Sequence, residues 1–147
     1  MKVQDGDWNT IIHLDILNCF NTGDLNSLNV AGGVLGVQRA IAKEEWINIR
    51  NVYNIGEVAG KYAGNIIGEI SKYGADRKDA KSDFQNVYGI KESFIGNGDL
   101  TSGSGTLKTK NEICSQAFVD LLNQNIESNS DWKRWKLGEK GYPELDL

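Results

Sequence analysis

Asn51-Val52-Tyr53-Asn54-Ile55-Gly56-Glu57-Val58, with Ala63-Gly64-Asn65-Ile66-Ile67-Gly68 close behind it, decides the fold, because it occurs twice. The earlier copy reads Asn18-Cys19-Phe20-Asn21-Thr22-Gly23-Asp24-Leu25, then Ala31-Gly32-Gly33-Val34-Leu35-Gly36. Its offset from the later copy is 33 residues in the first half and 32 in the second. A third, decayed copy opens at Asn86-Val87-Tyr88-Gly89-Ile90. A period in this range marks architectures that stack one small unit on the next. Each unit holds a short β-branched or aromatic run bounded by Gly and Asn, which suits strands and tight turns. No such run can bury an apolar face alone. Stacked at the strand spacing of about 4.8 Å, the units share one core.

The expected fold is therefore mainly β: a short right-handed parallel β-solenoid over residues 1–100. A C-terminal helix-plus-strand cap over residues 101–147 completes the same domain. In such a stack Asn18 lies over Asn51 and Asn86, and Phe20 over Tyr53 and Tyr88, as ladders of amides and rings. Gly23 and Gly56 are expected to supply a corner with φ > 0. Ile12, Leu14 and Ile16 alternate with His13 and Asp15 before the first copy, and Trp46-Ile47-Asn48-Ile49-Arg50 repeats the pattern before the second. Both read as half-buried strands. The competing architecture is a sandwich of ordinary hairpins with a chance likeness between two segments.

The pattern Asn-x-Tyr-Asn-x-Gly-x-Val, then Ala-Gly-x-Ile-Ile-Gly, resembles the GLUG repeat of bacterial surface proteins. The tail is similar to the segment that ends a GLUG block, through Phe118-Val119-Asp120-Leu121-Leu122-Asn123, Trp135 and Gly141-Tyr142-Pro143-Glu144-Leu145. The third copy departs from the pattern, with Gly89 in place of the second Asn. The resemblance implies a fragment of a bacterial secreted or cell-surface protein, hence an extracellular, adhesin-like module for structural display or adhesion.

Composition narrows the function. The 147 residues suit one domain, and the net charge of −4 is spread over both halves of the chain. A nucleic-acid binder carries a basic excess on one face, and none is present, so nucleic acid is not an expected partner. No apolar run approaches membrane-spanning length, so insertion into a membrane is not expected. Met1-Lys2 leads into Asp5 and Asp7 with no apolar leader, so the chain is expected to be cut from a larger precursor. Cys19 and Cys114 form no motif, which argues against zinc or a disulfide scaffold. Cys19 aligns with Val52 and Val87 and reads as a small buried apolar residue. A Cys19–Cys114 bridge is the alternative.

Residues 38–45 and 71–85 are insertions at equivalent points of successive units. Repeat proteins often place such insertions on a binding face. The cations there, Arg39, Lys43, Lys72, Arg77, Lys78 and Lys81, are the binding candidates, with a glycan or a host or matrix protein as partner. Two solvated loops are the plainer reading. Residues 38–45 suggest a helical turn, and residues 96–105 a connector leaving the repeats. Thr109 with Glu112 forms a capping box for one helix carrying Ile113, Ala117, Phe118, Leu121 and Leu122 and ending near Gln124. Trp132, Trp135, Tyr142 and Leu145 read as the core of the cap, with sugar stacking on an exposed Trp as the alternative. An uncapped first unit leaves an end-to-end dimer as an expectation.

Catalysis is the second class. Asp24 and Glu57 follow the repeat glycines and would lie about 5 Å apart, which suits a retaining glycosidase pair. No cofactor or metal is expected, with a calcium ion at this pair as the alternative. The enzyme reading is a β-helix polysaccharide lyase or glycoside hydrolase. It is not favoured, because no dedicated acid, base or cleft accompanies the pair. His13 lacks the Gly-x-Ser-x-Gly elbow of a hydrolase triad and reads as an exposed strand residue. A third reading is a passive stalk spacer without a ligand.

Overall fold

The computed structural model describes residues 11–40, 44–72, 80–128 and 130–147. The protein is mainly β, and its strands stack in parallel at the sequence period. The first round of chain is β1 (Ile11–Leu17), β2 (Phe20–Asn21), β3 (Leu25–Asn26), β4 (Val30–Gly32) and β5 (Leu35–Ala40). The second is β6 (Glu44–Asn54), β7 (Val58–Ala59), β8 (Tyr62–Gly64) and β9 (Ile67–Lys72). The third contributes β10 (Ala80–Gly89) and β11 (Ile95–Asn97). β1 lies on β6 from Ile11 over Glu44 to Leu17 over Arg50. Phe20 lies on Tyr53, Leu25 on Val58, Ala31 on Ala63 and Leu35 on Ile67. Tyr88 in turn lies on Tyr53. Sequence-equivalent residues are thus stacked in register, which the hairpin sandwich does not allow.

The corner is made by asparagine. Asn18, Asn51 and Asn86 have φ of 50°, 54° and 56°, whereas Gly23 and Gly56 are not among the positive-φ residues. The expectation for the two glycines is corrected here. Asn is among the few non-glycine residues that visit the left-handed region, and here the amides of Asn18 and Asn51 are held by partners distant in the chain. Gly56 is small for another reason: a Cβ there would run into the Gly23 carbonyl of the round beneath.

The Asn corner also switches faces. Ile47 and Ile49 point into the interior with Val52, so the alternation slips by one residue at Asn51. Tyr53 is thereby turned into a second cluster on the outside of the sheet. The interior holds Ile66, Ile67, Ile70, Phe84 and Val87, with Cys19 packed against it. Burial raises the Cys19 thiol above its ordinary pKa. Cys114 packs on the outer cluster, and both cysteines are free.

The second Asn of each repeat closes its own turn. The Gly56 N–H donates to Asn54 Oδ1 at 2.9 Å, and Asn54 Nδ2 donates to the Gly56 and Asn65 carbonyls at 3.1 and 2.8 Å. Asn21 Nδ2 donates across the rung to Asn54 Oδ1 at 2.9 Å.

Past β11 the chain crosses the end of the third round. Leu100 packs against the interior, Thr101 N donates to the Ser82 carbonyl at 2.9 Å, and β12 (Gly105–Leu107) pairs with β10. The expected connector is therefore the plug of that end. The following segment covers the flank. It comprises α1 (Lys110–Ile113), α2 (Gln116–Gln124) and the antiparallel pair β13 (Trp135–Leu137) and β14 (Pro143–Leu145). Ile113, Phe118, Val119, Leu122 and Trp135 are buried against Tyr53 and Tyr88, with Tyr142 and Leu145 beside them.

Two local expectations are corrected. The single helix is two, because the Ser115 hydroxyl donates to the Glu112 carbonyl at 2.6 Å and accepts from Phe118 N at 3.2 Å, capping a new start. The expected helical turn at 38–45 is strand instead, in β5 and β6, with only 41–43 outside the described residues. Likewise residues 71–72 and 80–85 of the second insertion are strand, and 73–79 lie outside the described residues.

Burial raises Tyr53 far above its ordinary value near 10, and Tyr88 in the same direction. A raised folded-state value contributes stability that is whole below pH 10 and lost as pH rises through and beyond it. The raised Cys19 thiol acts with the same sign from its lower ordinary value near 9.0, so unfolding free energy is expected to be level from neutrality to about pH 9, then to fall by about 1.4 kcal/mol per pH unit for Cys19 and by as much again for each tyrosine above about pH 10. Urea titrations of the wild type and Tyr53→Phe at successive pH values check this; the variant should show the shallower alkaline slope.

Candidate binding face

The outer face of the sheet β1-β6-β10 divides at the Asn corner. Beyond it, Phe20, Tyr53 and Tyr88 are roofed by the C-terminal segment. Phe20 and Tyr53 stack at 5.4 Å and 11°, and Phe118 meets Tyr53 and Tyr88 edge-on at 5.6 and 5.0 Å. Before it, among the described residues, the outward side chains form two ladders, exposed at His13, Asp15 and Lys81 and half-buried at Trp46, Asn48 and Asp83.

In the first ladder His13 stacks on Trp46 with centroids 4.4 Å apart, and Lys81 Nζ lies over the same indole, 5.2 Å from its centroid. Such a cation over an indole is attracted to the ring's negative face. In the second ladder Asn48 Nδ2 donates to Asp15 Oδ1 at 2.9 Å, Asp83 lies in register with Asn48, and the Ser102 hydroxyl donates to Asp83 Oδ1. Arg50 closes the row toward the C-terminal segment through Glu127 at 3.1 Å. The rows present carboxylates, an amide, an ammonium and ring edges at rung spacing, groups that donate to and accept from hydroxyls.

The strand ends that flank the two insertions are register partners, Ala40 with Lys72 and Glu45 with Ala80, so both segments leave at one end of the sheets. Of the binding candidates, Lys81 belongs to the aromatic ladder and is exposed. Arg39 is exposed on β5, in the other sheet, in register with Ser71. Lys72 ends β9. Lys43, Arg77 and Lys78 lie outside the described residues. Inside that same end the core turns polar: Gln38, Glu45 and Ser82 are buried, and the Ser82 hydroxyl donates to Gln38 Oε1.

Asp24 and Glu57 sit on neighbouring rungs as their spacing implied, but each carboxylate has another partner. Asp24 Oδ1 accepts the Glu57 N–H at 2.8 Å, and Glu57 pairs with Lys91. Both bonds hold exposed turns together. Among the described residues no group of three or more His, Cys, Asp or Glu is placed to hold a metal ion. His13 is exposed as expected, and its stacking partner Trp46, with Asn48 and Asp83, was not singled out from the sequence. The 33-residue offset of Trp46 from His13 was the available signal.

No helix among the described residues is long and apolar enough to cross a membrane. Comparison with family models, with curated proteins and with solved structures gave no match.

Proposed function

We propose that this chain is a short right-handed parallel β-solenoid of the GLUG-repeat kind, a display or adhesion module of a bacterial secreted or cell-surface protein. The observation that carries the reading is the register: repeats one period apart lie on one another through three rounds. That supports a rod-like scaffold whose outward ladders and inserted segments are free to vary without disturbing the core. The partner that fits these ladders is a glycan. Its hydroxyls can bridge neighbouring rungs, where Asp15, Asn48 and Asp83 offer acceptors and a donor in a row.

Immobilised-glycan screening tests this. Binding by the full chain is expected to fall at least tenfold in Asn48→Ala/Asp83→Ala, and in a chain with residues 73–79 replaced by a Gly-Ser link, at unchanged melting temperature. Binding indifferent to both changes, or absent across the panel, removes the adhesion reading and leaves a spacer.

A further inference from the structure

We propose that two copies of this chain join through the free edge of β1 into a symmetric dimer, with β1 antiparallel to its own copy about Leu14. This does not depend on the adhesion reading. Among the described residues β1 is the edge strand of its sheet, and its seven residues pair with β6 on one side only. The far side of the same sheet is blunted: β12 covers the end of β10, and Ser102 bridges to Asp83. A β1 edge therefore finds no free β10 on another copy to add to, but it does find another β1. Protein edges are normally guarded by Lys, Pro or a bulge, and Ile11-Ile12-His13-Leu14-Asp15-Ile16-Leu17 has none of these.

The apolar and polar pattern of the strand reads the same in both directions. Antiparallel pairing centred on Leu14 sets Ile11 against the partner's Leu17, Ile12 against its Ile16 and Leu14 against itself. His13 then faces the partner's Asp15, twice, so the basic and the acidic side chain meet each other and never themselves. Hydrogen-bonding imidazole–carboxylate pairs and apolar cross-strand pairs each favour such an alignment. Among the described residues nothing pairs with this edge, and its apolar groups stand in solvent: Ile11 is 58% exposed, Leu14 41% and Leu17 36%. Leu14 lies in register with the buried Ile47, so it belongs to the interior face and lacks only the next strand. A self-complementary patch of this kind makes a closed, isologous contact.

Sedimentation velocity of the full chain over a range of concentrations tests the proposal. A reversible dimer is expected. Leu14→Lys sets two like charges on the axis and should weaken it roughly tenfold or more. Asp15→Lys should weaken it by facing His13, and His13→Asp/Asp15→Lys should restore it. Leu14→Cys, a smaller apolar side chain tolerated if the lysine variant does not fold, should oxidise to a disulfide-linked dimer beyond the wild-type background, since directly opposed strand residues lie within disulfide reach. A chain that is monomeric at every concentration overturns the proposal. So does a dimer that Leu14→Lys leaves unchanged, or one that the double charge exchange fails to restore.

Discussion

Asn51→Ala is expected to lower the unfolding free energy by about 3–5 kcal/mol, close to what removal of a large core side chain costs. Three terms converge. Asn51 Nδ2 donates to Asn18 Oδ1 at 2.8 Å and to the Leu122 carbonyl at 3.1 Å, and its Oδ1 accepts from Asn125 at 3.3 Å. The residue is 1% exposed, so the groups left behind have no water to turn to. Its φ of 54° is one that alanine resists by about 1–2 kcal/mol. Asn51→Gly separates these effects, because it keeps the conformation and loses the amide; it should lie about 1 kcal/mol above the alanine variant. Urea unfolding of the three chains measures both differences. An alanine variant within 1 kcal/mol of wild type would show that the ladder does not hold the rounds to the C-terminal segment.

Gly89→Asn restores the repeat consensus to the third copy and is nevertheless expected to destabilise by about 2–4 kcal/mol. In the lower interface Asn54 fills the space beside Gly33, where a Cβ would meet the Asn54 amide. In the upper interface the pair is exchanged: Gly89 lies over Asn54, and a Cβ on it would strike Asn65 Oδ1. The space therefore admits one amide per interface, supplied from one strand below and from the other strand above. Asn65 fits it poorly. It is 2% exposed, and neither of its side-chain polar atoms has a hydrogen-bond partner among the described residues. Asn65→Gly/Gly89→Asn moves the amide back onto the ladder, where it can continue from Asn21 and Asn54, and should recover at least half the loss. A double-mutant cycle gives the coupling. Additive effects of the two changes would sink the one-amide explanation.

The sequence by itself determined the register. Stacking demands the same residue type at the same place in each round, so an offset read from Asn18 and Asn51 is also a statement of contact. The same holds for Phe20 over Tyr53, and Cys19, expected to be buried, is half-buried against the interior. It could not choose the corner, because Asn and Gly both tolerate positive φ, and each full copy of the pattern carries two Asn before its Gly. It also read the charged run of 71–85 as loop. A strand with one solvated face looks like a loop until Ser82 and Phe84 are seen to point inward together.

Only the tertiary structure decided what closes the stack. The Gly-rich stretch near 98–105 seals the third round, and the helices lie on the flank, where Trp135 Nε1 donates to Asn18 Oδ1 across 117 residues. No local period encodes such a contact; it depends on which surface the folded rounds leave open. The candidate face was settled in the same way. His13, Trp46 and Lys81 were aligned by the repeat, but which half of their sheet stays uncovered depended on where the C-terminal segment found aromatic rings to bury.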